Sequence, residues 1–194
     1  MSPGQRSASF PWLTRAELRE RTRSVLHRGG WGNADVLLVE CRDGRLVVVK
    51  DYAARSRCVR VGLGARLLAR EERAYGRLEG VAAVPRLLGR LDEVALVIEY
   101  RPGVLLSRSL RGSLPTGFME ELERAVDEMH RRGVVHLDLR HRSNVLAGED
   151  GRPVLIDFAS AQCFDASTRR GRMLVRLLGR IDRGALGKWR ARIV

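Results

Sequence analysis

The spacing of apolar residues changes character along the chain. In the first half, short β-branched runs dominate. Val36–Cys41 and Leu46–Lys50 flank Asp43-Gly44, which predicts a β-hairpin because Asp-Gly suits the left-handed conformations of a tight turn. Leu63, Leu67, Leu68, Glu71, Tyr75 and Leu78 then recur at three- and four-residue spacing as far as Gly80, the pattern of a helix with one buried side. Pro85 precedes a short predicted strand at about 86–90. A second is predicted over 94–100, closed by Arg101-Pro102-Gly103. Residues 1–12 read as a loose tail, and Thr14-Arg-Ala-Glu17 as a capping box that opens a short helix.

The second half is more helical. Phe118, Leu122, Ala125, Val126 and Met129 form an apolar stripe that Gly133 ends. Val134 to Leu139 is a short apolar run interrupted by His136 and Asp138. Residues 145–147 and 154–158 flank Glu149-Asp-Gly151, a second hairpin-like turn. From about Ser167 the chain reads as basic helix, with no internal repeat or low-complexity segment. A strand-rich front half leading into a helix-rich back half predicts an α+β fold, with the natural boundary near Arg101–Val104.

Composition narrows the class. At 194 residues and 44% hydrophobic, the chain can bury a core as one domain or two small lobes around a cleft. Its net charge of +13 invites a nucleic-acid or membrane-surface reading. Lysine occurs only at Lys50 and Lys188, however, and every other cation is arginine. So strong an arginine bias looks like codon pressure. It weakens the argument from charge and draws attention to each lysine. Aromatics are 5%, with no stacking or zinc-finger pattern, which disfavours nucleic acid as the partner. Cys41, Cys58 and Cys163 lack C-x-x-C spacing and read as free thiols of a reducing compartment. No signal-peptide core or membrane-length apolar run is present, so the expected location is cytoplasmic, at most on the inner face of a membrane.

Five segments carry candidate chemistry: Gly29-Gly30-Trp31-Gly32, Val47-Val48-Val49-Lys50, Glu71 on the predicted helix, His136-Leu137-Asp138-Leu139-Arg140-His141-Arg142-Ser143-Asn144-Val145-Leu146, and Leu155-Ile156-Asp157-Phe158-Ala159. Taken singly, a glycine cluster is a turn, a strand-end lysine a solvated cation and a helical glutamate a surface charge. In this order the segments resemble the protein kinase superfamily: a degenerate glycine-rich loop, the V-A-I-K strand, the glutamate of the following helix, the H-R-D-L catalytic loop and the D-F-G segment. Leu96-Val97-Ile98-Glu99-Tyr100 similarly resembles the hinge.

The resemblance implies a bilobal kinase-like fold over 13–194, with an N-lobe at about 13–101 and a reduced C-lobe at about 102–194. It also implies roles. Gly30 and Gly32 would let backbone N–H groups approach phosphate, and Lys50 would offset the α- and β-phosphates. Glu71, or else Glu72, would pair with that lysine. Backbone groups of Glu99 to Arg101 would hold adenine. Asp138 would orient the acceptor hydroxyl and take its proton, while Arg140 steadies the γ-phosphate. Asn144 and Asp157 would ligate Mg2+, with Mn2+ as an alternative metal. His136 reads as structural. Two departures stand out. Asn144 lies six positions after Asp138 where the family has five, which puts Ser143 in the usual register, and Ala159 replaces the final glycine.

Only 37 residues follow Asp157, without an A-P-E segment. That resembles RIO-type atypical kinases and bacterial lipopolysaccharide-core (Kdo and heptose) kinases. The partners implied are ATP and a hydroxyl acceptor on a protein or on a lipid or sugar. In the last helix Met173, Leu174, Leu177, Leu178 and Ile181 share one side, and Arg169, Arg172, Arg176, Arg180 and Arg183 lie along another. The preferred reading is that the apolar side completes the back lobe. The alternative is a peripheral seat on an anionic membrane. Two other functional classes remain open from sequence: an inactive pseudokinase or nucleotide-binding scaffold, and a basic nucleic-acid-binding protein.

Overall fold

Antiparallel strands form around the predicted Asp43-Gly44 turn. The computed structural model describes residues 12–193, so the expected tail lies outside them apart from Trp12. The described residues are mixed α+β. They fold as two compact units: residues up to Ala69 with Arg86–Tyr100, and Arg70–Pro85 with the chain from Arg101 onward.

The first unit contains α1 (Leu18–Arg21), β1 (Thr22–His27), β2 (Asp35–Glu40), β3 (Leu46–Asp51), β4 (Leu87–Asp92) and β5 (Ala95–Glu99). The sheet order is β1-β2-β3-β5-β4, with every neighbouring pair antiparallel. Val39, Val47, Val49 and Val97 pack with Leu13, Leu18 and Leu91 on one face. Because successive strand side chains alternate, Lys50 lies on the opposite face, in register with Leu96. Leu68, Tyr52 and Val59 pack with Leu96 there, and Lys50 is 8% exposed. The Arg15 guanidinium ties the segment before α1 to the sheet. It donates to Asp51 at 2.6 Å and to both Asp92 oxygens at 2.6 and 2.8 Å.

Strand β1 has no sequence signature because five of its six residues are exposed. The capping box forms only in half. The Glu17 carboxylate accepts from the Thr14 N–H and hydroxyl at 3.0 and 2.7 Å. The hydroxyl is thereby spent on Glu17 and caps no helical N–H, and α1 starts at Leu18. Arg42 also donates to Glu17, and with Thr14 it holds that carboxyl at a pKa of about 2. A π-helical turn, Val59–Gly64, precedes α2 (Ala65–Arg77). Its wider winding puts Leu63 out of phase with α2 and leaves it exposed, whereas Leu68, Glu71, Tyr75 and Leu78 are buried as the spacing predicts.

The second unit holds the rest of α2, β6 (Gly103–Leu105), α3 (Phe118–Arg131), β7 (Val134–Val135), β8 (Val145–Gly148), β9 (Pro153–Leu155), β10 (Gln162–Cys163) and α4 (Arg169–Ile193). Strands β6-β8-β9 form one small sheet and β10-β7 another. The predicted α3 stripe is buried throughout. Gly133, at φ 78°, ends the α3 segment where a Cβ would stand 2.2 Å from the Phe164 carbonyl oxygen. Only glycine permits that approach.

Helix α4 departs from its predicted packing. Its buried side is Gly171, Val175, Gly179, Asp182, Ala185, Leu186, Trp189 and Ile193. Met173, Leu177 and Ile181 are 62, 55 and 46% exposed. These three therefore do not complete the core of the second unit, whereas Leu174 and Leu178 of the same predicted side are half-buried. The cause lies in the residues opposite them: two glycines let α4 approach closely, with the Gly179 Cα against the His130 ring, and Asp182 needs buried donors. Among the described residues no helix is long and apolar enough to cross a membrane.

Candidate active site

Two non-glycine residues among those described have positive φ: Leu137 at 69° and Asp157 at 63°. One immediately precedes Asp138 and the other is itself a candidate metal ligand. Each such residue costs on the order of 1–3 kcal/mol and persists only where its surroundings enforce it. Around Leu137 the enforcing contacts are buried hydrogen bonds. The Asp182 carboxylate, fully buried, accepts the His136 N–H at 2.9 Å, the Leu137 N–H at 2.8 Å and the His130 Nε2 at 2.9 Å. Trp189 Nε1 donates to the Leu139 carbonyl at 2.9 Å. Two turns of α4 thus clamp both sides of Asp138.

His136 is fully buried, and its Nε2–H donates to the Ile156 carbonyl at 3.1 Å. Burial pushes its pKa down, against the pull of that carbonyl and the nearby carboxylates. The ring is therefore a neutral strut joining the Asp138 loop to the residue before Asp157. Phe158 extends the strut. Its ring lies 4.8 Å from the His136 ring and 5.0 Å from that of Tyr75. Its N–H donates to Glu71 Oε1 at 3.2 Å. Glu71 is 2% exposed, so this helix glutamate is a buried polar group of the second unit and no surface charge.

The six-residue interval from Asp138 to Asn144 resolves into two consecutive three-residue turns. The His141 N–H donates to the Asp138 carbonyl, and the Asn144 N–H to the His141 carbonyl, both at 3.2 Å. These turns bring Asn144 back under Asp138. Its Nδ2 donates to the Asp138 carbonyl at 2.8 Å and to Asp138 Oδ2 at 3.1 Å. Asn144 is 2% exposed whereas Ser143 is exposed, and the Ser143 hydroxyl donates to Asn144 Oδ1 at 2.9 Å. The Ile156 N–H donates to the Asn144 carbonyl at 3.0 Å, which sets Asp157 next to Asn144 along the backbone.

Among the described residues no three His, Cys, Asp or Glu side chains could hold a metal ion unaided. A carboxylate and an amide oxygen on one loop pair nevertheless suit Mg2+. That ion prefers oxygen donors and is commonly held by one or two protein ligands plus phosphate oxygens and water. Asn144 and Asp157 carry an amide and a carboxylate oxygen of that kind.

The remaining predicted residues fall as follows. In the first unit, the turn holding Gly30 and Gly32 is closed by the Gly29 N–H on Asp35 Oδ1 at 2.9 Å, and Arg55 pairs with the same Asp35. The strict glycine requirement is at Gly29, where a Cβ would meet the Asn33 carbonyl oxygen at 2.2 Å, while the space around Gly30 is open. Glu99 uses its N–H on the Arg86 carbonyl and its carboxylate on the Arg86 N–H, both at 2.9 Å. In the second unit, Arg101 donates to the Ala82 carbonyl at 3.2 Å, and Arg140 is exposed. Asp182 and Trp189 are the residues that sequence reasoning missed. One signal was available: Asp182 is the sole acidic residue after Asp165.

No protein-family model matches the chain. A Streptomyces coelicolor protein named "Probable SapB synthase" is 30% identical to it over 169 residues, covering 76% of this chain and 18% of that protein. The chain thus spans less than a fifth of the curated relative it matches.

Proposed function

We propose that the chain is a phosphotransferase of protein-kinase-like, bilobal fold that moves the γ-phosphoryl group of ATP to a hydroxyl acceptor with the help of Mg2+. The observation that carries this reading is the pairing of enforced backbone strain with chemistry at Leu137-Asp138 and at Asp157. Strain of this kind collects at functional sites. The name of the Streptomyces relative, a synthase, supports an enzymatic over a scaffolding role.

ATP supplies the phosphoryl group, and Mg2+ supplies positive charge to offset that of the phosphates. The chain's own residues do the rest. Asn144 and Asp157 offer oxygens to the metal. Asn144 Nδ2 fixes the Asp138 carboxylate through Oδ2, leaving Oδ1 to accept the proton of the acceptor hydroxyl. As that hydroxyl oxygen bonds to phosphorus, the bond to the bridging oxygen breaks and ADP leaves with its electron pair. Lys50 and Arg140 are assigned to the phosphates. His136, neutral and buried, takes no proton in this scheme. The acceptor hydroxyl belongs to a protein, or to a lipid or sugar, and dependence on ATP implies the cytoplasm.

The test is phosphoryl transfer from γ-labelled ATP to lysate acceptors. Asp138→Ala is expected to lower turnover by about 10²–10⁴-fold with nucleotide binding retained. Asp157→Ala is expected to abolish the metal-dependent activity. Full turnover in Asp138→Ala would refute the assignment. The rival reading, an inactive nucleotide-binding scaffold, draws on the Ser143 hydroxyl already occupying Asn144 Oδ1. It predicts ATP binding without any transfer in the unmodified protein.

A further inference from the structure

Beside the Asp138 loop, wholly within the second unit, lies a cavity of about 580 Å³. Arg108, Arg140 and Arg192 line it together with His141, and none of its lining residues is acidic. None of the three arginines makes an ion pair among the described residues. Their neighbour Arg190, by contrast, is held by Glu120 and Glu123 at 3.1 and 2.9 Å. The cavity wall is fixed. The Trp189 indole is anchored to the Leu139 carbonyl, and the Arg192 guanidinium lies 5.6 Å from the Trp189 ring centroid. Ser107 and Ser109 add two hydroxyls, 2.6 Å apart, at the same cavity.

Scattered unpaired arginines are ordinary on a chain of charge +13. Three that converge on one concavity without a counter-charge repel one another, and an oxyanion relieves that repulsion. Guanidinium forks match phosphate oxygens two at a time. With two hydroxyls and an imidazole beside them, the donors exceed what a single carboxylate accepts. The volume suits a small molecule or a headgroup. His141 and Arg140 reach the cavity from the turn that begins at Asp138, whose carbonyl accepts the His141 N–H.

We propose that this cavity holds a phosphate group carried by the acceptor itself, so that the substrate is a phosphorylated polyol or sugar, either free or as a lipid headgroup. The inference rests on the phosphotransferase reading for the transfer step but not for binding, and the two are tested separately.

Binding is read from Trp189 fluorescence in a Trp12→Phe/Trp31→Phe background without ATP, at constant ionic strength set with chloride. The probes are inorganic phosphate, glycerol 3-phosphate, and vesicles of phosphatidylglycerol in phosphatidylcholine. Saturable binding of glycerol 3-phosphate is expected, weakened at least about tenfold by Arg108→Gln and again by Arg192→Gln. Response to the vesicles but not to glycerol 3-phosphate, lost in Arg108→Gln and Arg192→Gln, assigns the headgroup source, and the reverse assigns the free one. No saturable signal with any probe, unchanged affinity in both variants, or tighter binding of an acidic peptide than of any phosphate probe overturns the proposal. Labelled-ATP transfer then separates the two readings. Phosphate binding without any transfer sinks the phosphotransferase and keeps the cavity. Transfer that is indifferent to Arg108→Gln and Arg192→Gln sinks the cavity and keeps the phosphotransferase.

Discussion

Asp182 is the residue whose replacement most directly tests how the candidate site is held. Its carboxylate accepts three donors, the His136 and Leu137 N–H groups and His130 Nε2, at 2.8–2.9 Å and with no solvent exposure. In Asp182→Ala all three donors lose their acceptor. At about 1–3 kcal/mol for each buried unsatisfied group, the sum approaches the whole stability of a small domain, about 5–15 kcal/mol. That variant is expected to leave the second unit unfolded. Asp182→Asn is more informative. Its one oxygen can stay on the Leu137 N–H, and His130 can change tautomer to accept from the new amide. The amide then faces the His136 N–H, donor against donor, so one bond is lost at a cost of about 1–3 kcal/mol. Urea unfolding followed at Trp189, in the Trp12→Phe/Trp31→Phe background, measures the cost as a lowered midpoint at unchanged slope. The backbone at His136 would then be free to shift and carry Asp138 with it. A displacement of order 1 Å is worth about 10²-fold in turnover. An Asn variant within about 0.5 kcal/mol of the parent would show that the Asp182 contacts do not hold the loop, and the account of the strain would fail.

Two further perturbations follow from burial. His136 has a lowered pKa when folded and an ordinary one near 6.5 when unfolded, so below pH 6.5 the unfolded chain binds the extra proton. Stability should fall on acidification from pH 7 to 5, by up to about 1.4 kcal/mol per pH unit from this residue. His136→Gln should remove that part of the slope, and an identical slope in parent and variant would refute it. On α4, Met173→Gln, Leu177→Gln and Ile181→Gln should each change stability by less than about 0.5 kcal/mol, whereas Leu186→Ala should cost about 2–5 kcal/mol. Because arginines flank that exposed row, the intact protein should co-sediment with anionic vesicles and not with neutral ones, and the triple Gln variant should be released. Indifference to lipid charge would refute the membrane seat.

Legibility in the sequence followed the physics of each element. The β2–β3 hairpin and α3 were plain because each buries one side, and period and turn chemistry report that directly. Strand β1 was silent because it is mostly exposed. Strands β6, β7 and β10, of two or three residues, are too short to show a period. Helix α4 was misread for a different reason. In its first half the large apolar residues Met173, Leu177 and Ile181 are exposed, while the buried side contains Gly171, Gly179 and Asp182, which a hydrophobic pattern scores as surface. The segment singled out around Asp138 holds the Asn144–Asp138 hydrogen bonds. Its supports were not legible, since Asp182 and Trp189 act from about 45 and 50 positions away.

The displaced Asn144 shows what a motif counts and what it does not. Spacing in a motif stands in for a geometry, and the geometry needed here is an amide beneath a carboxylate. Here six residues supply it by dividing into two three-residue turns, with the His141 and Asn144 N–H groups donating to the Asp138 and His141 carbonyls. The loop's other constraints come from outside this interval. Asp182 fixes the backbone before Asp138, Trp189 fixes it after, and the His136–Ile156 contact ties it to Asp157. Between those points Arg140 and His141 line the arginine-rich cavity, where the proposed acceptor phosphate would meet them.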